Sequence, residues 1–303
     1  MCVIIFLGDK IMLEYLRNNI KDILTSEVYE IIMDARTKNM IVVEEKGNGD
    51  SATIADVKIG KLFSKKLPEL LPGSIVINEE DFTDEIYEKI KTTKYIWIVD
   101  PIDGTKAFRT PGNNEYCVGI GLLDNLVPVL SLIYMPEYEF NGEKGLMFEA
   151  IDSEVGAKVN GRNILVTDKD DLSNLLCINH IHRDTELNEV EDMISKNCKV
   201  REKIRAYEGH STLANYALVV ADDLNRIFTR RNANIWDVEQ SAYIVEKAGG
   251  TVFYNDGTDI FPIDLNRLKV KTDENGNKFL IIDSNIACSK SVKQQILSLI
   301  KMR

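Results

Sequence analysis

Cysteine is scarce in this chain. Cys2, Cys117, Cys177, Cys198 and Cys288 are few, odd in number and widely scattered, which excludes a disulfide scaffold and a zinc site and points to a reducing cytosol. Long apolar runs are absent too. Val3 to Leu7 is short and Asp9 follows closely, so it is neither a membrane span nor the apolar region of a signal peptide. It reads as a short extension before an alternative start at Met12, a choice the sequence leaves open. Basic charge is in deficit: 37 Lys and Arg face 48 Asp and Glu, a formal net charge of −11. A broad basic face for a nucleic-acid polymer is therefore not expected. An acidic chain still binds an anionic substrate where metals supply local positive charge. Internal repeats and low-complexity linkers are also missing. These absences leave a cytoplasmic protein with no membrane and no nucleic-acid partner.

What is present is ample core material. Of the 303 residues, 44% are hydrophobic and 28% charged, enough for one large domain or two of about 150 residues. Residues 11 to 36 repeat apolar positions every three or four residues, which predicts one long or two broken amphipathic helices. Ile41 to Val43 reads as a short strand and Lys46 to Ser51 as a glycine-rich loop. A helix with Ile59, Leu62 and Phe63 follows Asp56. Ser74 to Ile77, Tyr95 to Val99, Val118 to Leu123, Val127 to Tyr134 and Met147 to Ala150 read as strands, with a hairpin at Asp124-Asn125. Asp152 to Ala157 looks like a boundary, and Asn160-Gly161 is a second hairpin signal. Beyond it helices and strands alternate. The helices are predicted at 186–195, 211–221, 237–248 and 290–299, and the strands at 175–178, 226–229, 251–254 and 279–282, with a strand edge at 198–201. Gly249-Gly250 caps the third helix. The alternation predicts helices layered on mixed sheets.

Four acidic spots share one grammar. Asp100 and Asp103 stand where the apolar strand Tyr95–Val99 breaks into a tight turn, and Glu79-Glu80 follows the strand before it. Asp56 and Asp237 each open a helix. The Asp pair alone reads equally as an Asx-capped turn or as a corner for a divalent metal and a phosphate. Glu79-Glu80 alone reads as solvated surface, and Asp56 alone as a first-turn carboxylate favouring the helix dipole. Were they to converge, the repulsion would require cations, and an all-oxygen carboxylate set suits Mg²⁺ or Mn²⁺.

Those residues, in their order, are similar to the motifs of the inositol monophosphatase superfamily of metal-dependent, lithium-sensitive phosphomonoesterases. The matching stretches are Thr53-Ile54-Ala55-Asp56, Asn78-Glu79-Glu80, Asp100-Pro101-Ile102-Asp103-Gly104-Thr105, and Ile235-Trp236-Asp237 followed by Ala248-Gly249-Gly250. The resemblance implies an α+β fold, a layered αβαβα sandwich. Its N-terminal α+β part would span residues 1–155, with a C-terminal α/β part over 156–303 and the site between them. It implies metal ligation by Glu79, Asp100, Asp103 and Asp237 with the Ile102 carbonyl, and two or three Mg²⁺ ions, with Mn²⁺ as a substitute and Li⁺ inhibitory. Asp56 and Thr105 would orient and deprotonate the attacking water for in-line displacement, while the Gly104 and Thr105 amides hold phosphate oxygens. Glu80 would support the shell, and Trp236 would pack beneath the metals.

Within the superfamily the resemblance leans to the 3′(2′),5′-bisphosphate nucleotidases. Lys106 after Asp-Gly-Thr, the segment Ile178 to Asp184, Gly209-His210-Ser211-Thr212-Leu213 and Asn234-Ile235-Trp236-Asp237 carry that leaning. Substrate contacts would then come from Gly104, Thr105, Lys106, His182, Gly209, Ser211, Thr212 and Arg230. Arg230 stands near the place of a glutamate that contacts inositol in the monophosphatases. It reads either as a bidentate grip on a second phosphate or as an exposed arginine beside Arg231. His182 and His210 read as substrate-loop neighbours or as structural residues. The family's Ser-Pro-Val-Thr is Asp50-Ser51-Ala52-Thr53 here, and neither Pro111–Tyr116 nor Pro136–Gly145 follows the pattern. The expected substrate is a small phosphorylated metabolite, 3′-phosphoadenosine 5′-phosphate or a similar bisphosphate. Inositol 1-phosphate, fructose 1,6-bisphosphate and histidinol phosphate are alternatives, a non-catalytic scaffold is a remote one, and both monomer and homodimer stay open.

Overall fold

The computed structural model describes residues 2–37, 43–46, 50–140, 142–165, 171–181, 186–205, 210–221, 226–273 and 276–301. The chain opens with α1 (Cys2–Ile23), a π turn over Leu24–Val28, and α2 (Tyr29–Thr37). Leu16, Ile20, Leu24, Val28 and Ile32 are all fully buried along this column. Their four-residue steps outrun a 3.6-residue turn, and the wider π turn absorbs the drift. Next come β1 (Val43–Lys46), β2 (Asp50–Thr53), α3 (Ile54–Leu70), β3 (Ile75–Asn78), α4 (Asp84–Ile90), β4 (Tyr95–Asp103) and α5 (Thr105–Arg109). Then follow β5 (Cys117–Asp124), β6 (Val127–Phe140), β7 (Glu143–Ile151), β8 (Ala157–Val159) and β9 (Arg162–Ile164). The remainder holds β10 (Leu176–Ile181), α6 (Glu189–Asn197), β11 (Val200–Arg205), α7 (Thr212–Ala221), β12 (Arg226–Arg230) and β13 (Ala233–Asn234). It ends with α8 (Glu239–Lys247), β14 (Thr251–Tyr254), β15 (Lys269–Thr272), β16 (Lys278–Ile282), β17 (Asn285–Cys288) and α9 (Lys290–Lys301).

Strands β3 to β9 form a seven-stranded sheet in chain order, parallel only between β3 and β4. A five-stranded sheet runs β11-β10-β12-β17-β14, a three-stranded one β13-β16-β15, and β1 pairs with β2. One face of the large sheet, with Trp97, Val99, Ile120 and Leu132, packs on Leu16, Ile20, Ile59 and Phe63 from α1 and α3. Its other face, with Ile96, Ile98, Ile133 and Phe148, packs on Leu213, Tyr216, Val238 and Ile244 of the α7–α8 layer. Phe228, Val252 and Ala287 of the five-stranded sheet close that layer from beyond. The outer face of the second sheet, with Cys177, Ile227 and Ile286, is covered by Ile194 of α6 and by Val292 and Ile296 of α9. The order helix, sheet, helix, sheet, helix is the αβαβα sandwich expected. It also explains the unbroken apolar run of β4, since alternate side chains feed two different cores.

Three local expectations change. The Lys46–Ser51 stretch is not wholly loop: Lys46 pairs with Asp50 in the β1–β2 ladder, and residues 47–49 lie outside the described ones. The Asn160-Gly161 hairpin is present, with φ of +47° and +76°, but β8 and β9 extend the first sheet. The expected division after residue 155 therefore falls in a turn inside that sheet, because the hairpin buries its apolar positions, Ala157, Val159 and Ile164, against β7 and the core beneath it. Strands β15 and β17 were not legible, since β15 is largely exposed and β17 opens on a buried asparagine.

Candidate active site

The C-terminal end of β4 is where the carboxylates meet. Oxygen atoms of Asp100, Asp103 and Asp237 all lie within 4.8 Å of one another. Asp100 and Asp103 are buried by the two layers that flank β4. Asp237 arrives from the short 3₁₀ turn Ile235–Asp237 that precedes α8, with Trp236 buried behind it against Phe82 at 5.9 Å. Burial pushes the Asp100 carboxyl well above the usual carboxylate range, and Glu79, Asp103, Asp237 and Asp56 add repulsion. Geometry thus brings three of the five carboxylates together, and the charges of Glu79 and Asp56 reach Asp100. Asp100 Oδ1 has no hydrogen-bond partner among the described residues.

Asp103 is held differently. Its Oδ2 accepts from Ser211 Oγ at 2.5 Å and from the Leu213 amide at 2.6 Å, at the start of α7. Burial raises its carboxyl, and the Ser211 hydroxyl, the Leu213 and Thr212 amides and the Arg230 charge oppose that rise. The helix start thus offers its unpaired N–H groups to a carboxylate. Asp56 is the N3 residue of a capping box on α3. Its Oδ2 accepts from the Thr53 amide at 2.7 Å and from the Thr53 hydroxyl. The cap fixes its orientation, as the helix-opening reading expects.

Gly104 turns the chain between β4 and α5 at φ +84°, and a Cβ there would meet the Glu115 carbonyl at 2.8 Å and Ser211 Cβ at 3.1 Å. Only glycine fits both the left-handed backbone and that approach. Thr105 Oγ1 donates to the Ile102 carbonyl at 3.1 Å, so the carbonyl expected as a neutral ligand already carries one hydrogen bond. Lys106 is exposed on α5. Ser211, expected to touch substrate, is instead fully buried: it donates to Asp103 and accepts from the Ala214 amide at 2.9 Å, capping α7. Thr212 is likewise buried, its Oγ1 3.3 Å from His180 Nδ1. His210 Nδ1 lies 2.6 Å from Glu115 Oε2. Arg230 is buried, not exposed, and its Nη2 is 3.4 Å from Asp237 Oδ2. Its neighbour Arg231 bonds instead to Glu191 and the Glu186 carbonyl. His182 and Gly209 lie outside the described residues.

Two supporting residues escaped sequence reading. Arg36, at the end of α2, donates to the Phe108 carbonyl at 3.0 Å and the Asn113 carbonyl at 3.2 Å, and pairs with Glu137 at 2.8 Å. It lies over the Phe108 and Tyr116 rings and so pins the C-terminal end of α5. Gln240 donates to the Ile98 carbonyl at 3.1 Å, tying α8 to β4 two residues before Asp100. Neither has a motif; only the fold pairs them with their partners.

Three converging carboxylates, two of them buried and one with an oxygen lacking a hydrogen-bond partner among the described residues, fit Mg²⁺. On an αβαβα sandwich, this is the arrangement of a metal-dependent phosphoric monoester hydrolase. The family follows from comparison: a model of the inositol monophosphatase family matches residues 13–301, and the chain belongs to that family. It is 28% identical over 228 residues to an inositol monophosphatase of Mesembryanthemum crystallinum, covering 75% of this chain and 80% of the relative. It is also 28% identical over 220 residues to the 3′(2′),5′-bisphosphate nucleotidase CysQ of Shigella flexneri, covering 71% and 80%. Among solved structures, an IMPase/NADP phosphatase complexed with Mg²⁺ and phosphate superimposes with a TM-score of 0.70 at 18% identity, over 94% of this chain and 96% of that one. An IMPase from Thermotoga maritima gives 0.67 at 18% identity, over 91% and 93%.

Proposed function

We propose that the protein removes a phosphate from a small metabolite that carries a second anionic group, with 3′-phosphoadenosine 5′-phosphate as the leading candidate and AMP and phosphate as its products. The observation that carries this reading is the buried Arg230 guanidinium set directly against the Asp100, Asp103 and Asp237 cluster. Glu79, Asp100, Asp103, Asp237 and the Ile102 carbonyl would hold two or three Mg²⁺ ions. When bound, Mg²⁺ neutralises the phosphate and acidifies water. Asp56 Oδ1, opposite the oxygen used by the Thr53 cap, accepts the proton of the attacking water, and the Thr105 hydroxyl orients that water. The Gly104 and Thr105 amides hold phosphate oxygens, and Lys106 adds positive charge at the mouth. Arg230 grips the second anionic group, a task for which a planar guanidinium is suited. Gly209 and His182 line the substrate loops in this reading, and Ser211 and Thr212 act from behind, on Asp103 and His180. We place the division between the two parts of the chain after Ile164.

A second reading is supported by equal similarity. Inositol monophosphatase and nucleotidase relatives both reach 28% identity, so inositol 1-phosphate is the competing substrate. Phosphate release from a panel of 3′-phosphoadenosine 5′-phosphate, inositol 1-phosphate, fructose 1,6-bisphosphate and histidinol phosphate separates them. Equal or better turnover of inositol 1-phosphate sinks the nucleotide assignment. Asp103→Asn abolishes turnover on every substrate and Li⁺ inhibits it; a fully active Asp103→Asn protein would support a non-catalytic role for the metal corner.

A further inference from the structure

Arg230 is in an unusual position for an arginine. Its side chain is 6% exposed and that of Asp237 is 14% exposed, and the contact between them is long, at 3.4 Å. Nε and Nη1 of the same guanidinium have no hydrogen-bond partner among the described residues. A buried cation with two unsatisfied donors is costly unless an opposite charge holds it in place. The charge at hand is the carboxylate cluster itself, through Asp237. Backbone pairing keeps the arginine there: Arg230 ends β12, in register with His180 of β10 on one side and Asn285 of β17 on the other. The guanidinium therefore sits against one oxygen, Oδ2, of a carboxylate that belongs to the candidate metal cluster.

We propose that Arg230 is a built-in counter-cation for Asp237, competing with a metal ion for that carboxylate. The inference rests on the metal-centre reading above. A cation bound at Asp237 and a guanidinium in contact with it repel each other across a poorly screened gap. Metal entry therefore releases Arg230, and the released fork of donors faces the anionic part of the substrate. The Asp237 corner is accordingly the weakest-held cation position of the site, and it is the metal-free protein that Arg230 stabilises.

The test is a Mg²⁺ titration of EDTA-stripped full-length protein without substrate, read by calorimetry and by thermal shift. Arg230→Gln is expected to bind Mg²⁺ about tenfold more tightly than the wild type, the scale set by one partly screened unit charge near contact distance. Its metal-free form should unfold at a lower temperature, and Mg²⁺ should restore more than it adds to the wild type. Should Arg230→Gln not fold without metal, Arg230→Lys makes the same comparison. Its shorter ammonium reaches Asp237 less well, and a Mg²⁺ affinity about threefold tighter than wild type is expected, on the same charge–distance reasoning. Unchanged or weaker Mg²⁺ binding in the folded variant overturns the proposal. Asp103→Asn separates the two levels: wild-type Mg²⁺ binding in that variant overturns the metal centre itself. Its loss, together with an unchanged Arg230 variant, overturns only the role given to Arg230.

Discussion

Asp100→Asn should make the metal-free protein more stable while destroying its activity. Asp100 is buried, one of its oxygens has no hydrogen-bond partner among the described residues, and its carboxylate neighbours include Asp103 and Asp237 within 4.8 Å. Two unit charges at that limit of 4.8 Å repel by about 3 kcal/mol at an effective dielectric constant of about 20. Partial protonation of the cluster relieves part of that cost, so a net gain of about 2 kcal/mol on neutralising Asp100 is the reasonable expectation. An asparagine amide can also donate to the carboxylates beside it. In a chain of 303 residues the gain raises the unfolding midpoint by about 3 °C. The pH dependence has a definite sign. Burial, aided by Glu79 and the other acids, pushes the Asp100 carboxyl up, so the fold favours its neutral form. That stability is present at low pH and is lost as pH rises through the raised pKa. The advantage of Asp100→Asn should therefore be smallest at the acid end and widen as pH rises above the ordinary carboxylate value of 3.8. The assay is thermal unfolding in EDTA at several pH values, repeated with Mg²⁺. Saturation of the wild type at a hundred times its dissociation constant adds about 2.7 kcal/mol. The variant should gain little. A lower midpoint for Asp100→Asn than for wild type at pH 8 in EDTA would refute the electrostatic reasoning.

Three further outcomes follow from the packing around the site. Ser211→Ala removes both the hydroxyl donor to Asp103 and the cap of α7, and should cost about 2–4 kcal/mol, with weaker Mg²⁺ binding by titration; a stable variant with wild-type Mg²⁺ affinity would show that the Leu213 amide suffices. Glu239 is wholly buried, its carboxyl pushed up to about 8 from its ordinary 4.5 by loss of hydration. Its contribution is therefore complete below pH 4.5 and lost as pH climbs through 8, so Glu239→Gln should match the wild-type melting temperature at pH 5 and exceed it at pH 9; a gap that does not vary with pH would contradict this. Arg36→Ala strips α5 of its clamp on the Phe108 and Asn113 carbonyls and leaves Glu137 without its guanidinium, for a loss of about 3 kcal/mol in chemical denaturation; a change below about 1 kcal/mol would mean the Tyr116 hydroxyl alone satisfies Glu137.

The sequence by itself determined the reaction class through resemblance, since its acidic motifs follow one family's order. Asp56 at a helix start, Glu79 after one strand, Asp100 and Asp103 after another and Asp237 before a helix are local patterns, each at the end of an element that its own periodicity announces, but periodicity alone left their role open. A strand apolar on both faces such as β4 must lie between two layers, so its polar end was bound to be a polar spot at the rim of a buried sheet. Tertiary structure decided the rest, because side chains far apart in the chain acquire their meaning only from what they meet. Ser211 reads as a substrate hydroxyl in sequence and becomes the prop of Asp103, 108 positions away. Arg230 reads in sequence as a phosphate grip or as an exposed arginine beside Arg231, and only the strand pairing of β12 turns it inward to Asp237 and leaves Arg231 bonded to Glu191. The hairpin β8–β9 looks like the start of a second part and is the edge of the first sheet, since its apolar residues find their core there. Periodicity is a property of neighbours in the chain and survives in the sequence. Which buried charge faces which is a property of register and layer stacking, and it exists only once the chain has folded.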